Sequence, residues 1–187
     1  MALKGFTPLY MINGADYNRS IETCVAIASD SSVFGVGSPV KLASTEGVLG
    51  DDGNYYNSVV ASAAGDVDYG ICVGIEPVTV QSLPYRVAST LTKVRVLPLQ
   101  GVVFGIQEDS VGGSLALTDC NSTIDYVIGS PAVNVLTGIG DVMLDSSTVH
   151  ATTGAFRLLR PARIPGNVIG TNCIWEVIAY TDALAGA

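Results

Sequence analysis

What most constrains this chain is the way its apolar side chains are broken up. Its mean hydropathy of +0.43 would suit a membrane protein. Yet the longest run free of acidic and basic side chains is Tyr126–Gly140, 15 residues interrupted by Gly129, Pro131, Asn134 and Gly138. A spanning helix needs about 20 mostly apolar residues, so a helical membrane protein is not expected. The opening stretch, MALKGFTPLYMINGADYN, has no sustained apolar core and carries Pro8 and Gly14, so a signal peptide is not expected either. The apolar side chains must be hidden in a dense β core or against other chains.

Short strands punctuated by turn residues fit that requirement. Candidate strands are Ile21–Ala28, Val33–Leu42, Tyr69–Ile75, Thr92–Leu97, Val102–Gln107, Phe156–Leu159 and Ile174–Tyr180. Within Thr92–Leu97, Val94 and Val96 face one way and Lys93 and Arg95 the other, the alternation of a half-buried strand. Within Ile174–Tyr180 both alternating sets are largely apolar, so both faces are expected to be covered. Gly50–Asn54, Gly112–Gly113, Gly138–Asp141 and Pro165–Asn167 supply turn chemistry, because glycine and asparagine tolerate positive φ and proline presets a turn. Helix signals are weak. Ser114 could cap a short turn through Leu115–Leu117, and Asn54–Ala64 could form another. The expected fold is all-β: a compact antiparallel β-barrel or β-sandwich with short helical turns. Residues 21–187 form its single domain.

Residues 1–20 break the pattern. Leu3, Phe6, Leu9, Tyr10, Met11, Ile12 and Tyr17 recur there with no period. An extended N-terminal arm is expected, lying on its own domain or on a neighbouring subunit.

The search for chemistry excludes more than it finds. With 9 Lys and Arg against 17 Asp and Glu, the net charge of −8 argues against nucleic acid as a partner. His150 is the single histidine and sits in a polar, turn-like stretch, and there is no Gly-x-Ser-x-Gly elbow for an acyl-transfer nucleophile. None of the three lysines stands in a phosphate-binding loop. Glu108 and Asp109 are adjacent, so on a strand they point apart. Cys24, Cys72, Cys120 and Cys173 lie about fifty residues apart without a Cys-x-x-Cys pair, which reads as buried reduced thiols rather than a zinc site. No cofactor, no metal and no enzymatic activity are expected. Charge itself is segregated: no Lys or Arg falls between Arg95 and Arg157, while Arg157, Arg160 and Arg163 follow closely. Such segregation suits an electrostatically complementary contact between subunits or with a partner.

The stretch Val103–Asp119, with Ile106-Gln107-Glu108-Asp109-Ser110 running into Gly112-Gly113, resembles a recurring segment of small virion proteins of tailed bacteriophages. Gly37-Ser38-Pro39-Val40 is similar to their Gly-Asp-Pro-Val strand start, with Ser38 departing from the Asp. Gly70–Gly74, Met143–Thr148, Arg157-Leu158-Leu159, and Asn167, Ile169, Gly170, Asn172 and Trp175 follow in the same order. The resemblance covers residues 33–180. It implies a capsid decoration, or cement, protein made in the host cytoplasm and bound to the outer surface of an icosahedral head. Its partner would be the major capsid protein, and it would form a homo-oligomer, a trimer before a dimer. On that reading Leu3, Phe6, Leu9 and Tyr10 of the arm and Arg157, Arg160 and Arg163 are the expected contacts. The alternative is a host- or carbohydrate-binding module on the virion surface, stacking sugars on Tyr55, Tyr56, Tyr69 or Tyr85.

Overall fold

A computed structural model describes residues 4–43, 47–50, 52–77, 81–149 and 154–181. The chain is all-β. Its larger sheet has the spatial order β1 (Thr7–Met11), β9 (Val102–Gln107), β13 (Ile174–Ala179), β12 (Phe156–Pro161), β10 (Thr123–Val133) and β11 (Gly140–Asp145). Every pairing in it is antiparallel. The outer edge of β11 is not left open: Gly5 N donates to Val142 O and Asp109 N to Leu144 O, each at 2.9 Å. The chain entering β1 and the chain leaving β9 thus cover an edge that would otherwise invite another strand.

A second unit is a closed barrel of β2 (Glu22–Ala26), β6 (Ser58–Ala61), β3 (Pro39–Leu42), β7 (Gly70–Ile75) and β8 (Thr92–Pro98). Its β2–β6 contact is parallel and its others antiparallel. A separate hairpin joins β4 (Val48–Leu49) and β5 (Tyr55–Tyr56).

Period-two alternation explains how the two units make one body. On the β7–β8 ribbon, Cys72, Val94 and Val96 line the small barrel, whereas Ile71 and Leu97 enter the core of the large sheet. The ribbon is a wall between two cores where Ile71 and Leu97 stand, while Lys93 and Arg95 leave the same face of β8 farther along, outside the large core. In the large core, Phe6 stacks on Phe156 at 4.6 Å between ring centroids and meets Phe104 and Tyr126 edge-on at 6.0 Å. Each such pair contributes about 0.5–1.5 kcal/mol beyond area burial.

Of the two places open to the N-terminal segment, residues 4–20 occupy their own domain. Phe6 is 2% exposed, Thr7–Met11 is a strand paired to β9, and Tyr17 packs against the large core. This part of the expected arm is integral to the fold.

Three local expectations are corrected. Asn54–Ala64 is not a helical turn but β5 and β6, because the Val59 side chain is needed inside the barrel and Ser58–Ala61 bridges β2 to β3. Val33–Leu42 is not one strand. Residues 34–38 form the junction between the units, where a Cβ on Gly35 would stand 2.1 Å from Gly138 O and Gly37 takes φ +86°. The short turn near Ser114 is a 3-10 turn at Leu117–Asp119, and Asp119 itself caps it by accepting from Ala116 N at 2.8 Å.

Candidate functional site

Two of the residues singled out by sequence, Tyr10 and Arg160, come together on the outer face of the large sheet. The strand order brings β1, β13 and β12 close across β9, and bulges in β1 between Pro8 and Tyr10 and in β12 between Leu158 and Arg160 shift the side chains that follow. Tyr10 Oη donates to Glu176 Oε2 at 2.8 Å and accepts from Arg160 Nη2 at 2.8 Å. Arg160 Nε lies 2.9 Å from the same carboxylate. Burial and then the Glu176 hydrogen bond hold the Tyr10 hydroxyl above its usual pKa, while Arg160 and Arg163 pull it down. The hydrogen bond from Arg160 to Glu176 raises the guanidinium pKa further. Glu176, absent from the sequence-based selection, is the hub. Its side chain is 4% exposed and that of Arg160 is 42% exposed, so the acid is sealed below and the cation stands above.

The remaining selected residues divide. Leu9 seats its side chain over Gly105, whose Cβ would stand 3.3 Å from it. Phe6 is a core residue, 2% exposed. The Arg157 guanidinium lies 4.8 Å over the Tyr180 ring. Arg163 is exposed at the start of the β12–β13 loop. Leu3 lies outside the described residues, as does His150. Following Arg163, that loop presents Ile164, Val168 and Ile169, with Val168 74% exposed. Asn167 ties its base: Nδ2 donates to Ala162 O and Ile174 O at 2.9 and 2.8 Å, and Oδ1 accepts from Ile174 N at 2.9 Å. The result is a cationic and apolar surface on a firmly anchored loop, in a protein that is otherwise acidic.

The motif Gln107–Ser110 is used differently. Gln107 Nε2 donates to Asn172 Oδ1 at 2.9 Å, and Asn172 N donates to Ser110 Oγ at 3.1 Å. Glu108, fully buried, accepts from Leu115 N at 2.7 Å and from Cys173 N at 3.4 Å, and burial raises its pKa. Asp109 Oδ1 accepts from Val111 N, Ser146 N and Ser146 Oγ at 3.1, 3.0 and 2.9 Å. All four polar groups stitch neighbouring loops to the end of β9. The motif is a clasp, and Glu108 and Asp109 part toward different loops instead of sharing a substrate.

The proposed sugar platforms also separate. Tyr55 is 79% exposed, whereas Tyr69 is buried with its hydroxyl donating to Glu22. Lys93 covers the Tyr56 ring at 5.2 Å, and Tyr85 is half-buried. Among the described residues, no group of three His, Cys, Asp or Glu side chains could hold a metal ion, and all four cysteines are free. No protein-family model, curated protein or solved structure matches the chain.

Proposed function

We propose that this protein decorates the outside of an icosahedral phage head and braces the lattice of the major capsid protein. The observation that carries the reading is the ordered series of virion-protein motifs across residues 33–180. The all-β body is compatible with it. Low charge supports it too: 14% of residues are charged, while Leu136, Tyr55 and Val168 stand 89, 79 and 74% exposed. Large apolar side chains left in water are what permanent contacts with other chains would cover.

The surface of Tyr10, Arg160, Arg163 and the 164–169 loop is the proposed lattice contact, with Arg157 at its margin. Glu176 holds Arg160 in place before binding, so little side-chain entropy remains to be lost when a partner arrives. The mechanism is mass action: a protein that binds only the assembled, expanded shell stabilises it by its binding free energy, and many copies sum that gain. Repeated sites on a symmetric lattice favour a closed homo-oligomer, a trimer at three-fold positions before a dimer at two-folds. Chemistry is not part of the proposal, and its acidic balance suits a position away from packaged DNA.

The test is sedimentation of the purified protein with empty, expanded heads of the phage that encodes it, alongside unexpanded proheads. Saturable binding to the expanded heads and a raised disruption temperature are expected. Absence of binding to expanded heads overturns the reading. Binding to host-cell glycans without even occupancy of the head would replace it with the host-binding alternative.

A further inference from the structure

The two cores meet at a buried carboxyl group that no contact surface involves. Asp68 stands on the chain leading from β6 into β7 and is fully shielded, at 0% exposed. It faces Tyr126 of β10, whose hydroxyl lies 3.1 Å from Asp68 Oδ1 and 2.9 Å from the carbonyl oxygen of Ala63. Tyr126 belongs to the large core, whereas Tyr69, the residue after Asp68, belongs to the small one. Asp68 therefore sits where β10 is tied to the small barrel.

Its surroundings do not suit an ionised carboxylate, which needs several donors when buried. Oδ1 has the Tyr126 hydroxyl. Beside Oδ2 stands the buried hydroxyl of Ser62, a single further donor whose geometry is poor. The charged groups that face Asp68 are Asp66, on the same turn, and Asp125 of β10, both of its own sign. The nearby cation of β3, Lys41, is held by Asp66 at 2.8 Å. Two hydroxyl groups and no cation are too few partners for a fully buried charge, and a proton on Oδ2 removes that charge while letting Oδ2 donate to Ser62 Oγ.

We propose that Asp68 is a proton-operated joint: neutral, it fits the dry seam between the β6–β7 turn and β10, and ionised, it leaves a buried charge there with no cation to meet it, which lowers the stability of the joined cores. Burial pushes the carboxyl up to about 6, with Ser62 and Tyr126 opposing that rise. An unfolded Asp titrates near 4. As pH rises the unfolded chain releases this proton first, so stability falls between roughly pH 4 and 6 and levels off above. The fold is therefore more stable in mild acid than at neutral pH, whatever the outer surface binds.

Two measurements on the full chain test this. The Asp68 carboxyl carbon resonance, followed from about pH 3 to 8, should inflect near pH 6, and Tyr126→Phe should move the inflection higher by removing a donor to the ionised form. Relative to Asp68→Asn, the urea-derived unfolding constant of the unsubstituted protein should rise roughly a hundredfold between about pH 3 and 7. An inflection at the ordinary Asp value, or parallel pH profiles for the two proteins, overturns the joint. If Asp68→Asn fails to fold, the resonance titration of the unsubstituted protein decides alone.

Discussion

Arg86 and Arg160 are both arginines within reach of a carboxylate, and they do opposite work. The Arg86 side chain is 0% exposed, 3.2 Å from the Asp30 carboxylate. It donates to the carbonyl oxygens of Ile27 and Asp30 at 2.8 and 2.7 Å, to those of Ser32 and Thr90, and lies over the Phe34 ring. It fastens the loops beside the small barrel from within. Arg160 has a sealed carboxylate beneath it and water above it. A buried charge surrounded by acceptors belongs to the fold, whereas Arg160, braced by Glu176 and Tyr10, keeps part of its guanidinium open to solvent. The difference lies in burial and partner count, not residue type.

The largest expected effect tests the fold side of that contrast. Arg86→Met strands several carbonyls and the Asp30 carboxylate and should cost about 3–5 kcal/mol, read by urea unfolding. A loss below about 1 kcal/mol would mean that the buried guanidinium is not the fastener described. Glu108→Ala comes next. Leaving Leu115 N–H without its acceptor should cost about 1–3 kcal/mol, and amide exchange at Leu115 should quicken. If Leu115 stays protected, the Gln107–Ser110 clasp holds by other contacts.

Thiol chemistry gives a smaller but sharp readout. Burial pushes Cys24 and Cys72 up to about 12 and raises Cys173 as well, while Cys120 is only half-buried. An aromatic disulfide reagent at pH 8 should therefore modify Cys120 first and the other three only on unfolding. Rapid reaction of Cys24 or Cys72 would show that the small barrel opens readily. The smallest stability change belongs to Arg163→Ala, below about 1 kcal/mol because the group is exposed. A larger loss would move Arg163 into the class of Arg86.

What sequence could and could not reveal follows the same physics. β9 occupies the expected Val102–Gln107, and β8 shows the expected alternation of Val94 and Val96 against Lys93 and Arg95, because local periodicity reports a strand whose faces differ. The β10–β11 hairpin was hidden in the uncharged Tyr126–Gly140 stretch. Gly129 and Pro131 read there as breakers, yet β10 absorbs them in an irregularity between Ile128 and Val133. A Cβ at Gly129 would stand 2.6 Å from the Asp141 carboxyl carbon, so a larger residue there would have to displace that side chain. Segregated charge pointed to Arg160, but nothing local announced Glu176 or its bond to Tyr10, 166 positions away. Arg86 and Asp68 were equally silent, because burial of a charge is a property of the assembled fold. The resembling motif proved legible as pattern and opaque as role: its polar side chains all turn inward.

The most direct test of the account is head binding by the Arg163→Glu, Val168→Glu double variant, both sites being exposed, measured beside its urea unfolding midpoint. The expected result is a midpoint close to that of the unsubstituted protein together with at least a tenfold loss of affinity for expanded heads. Unchanged affinity in a folded double variant would contradict the assignment of this surface as the lattice contact.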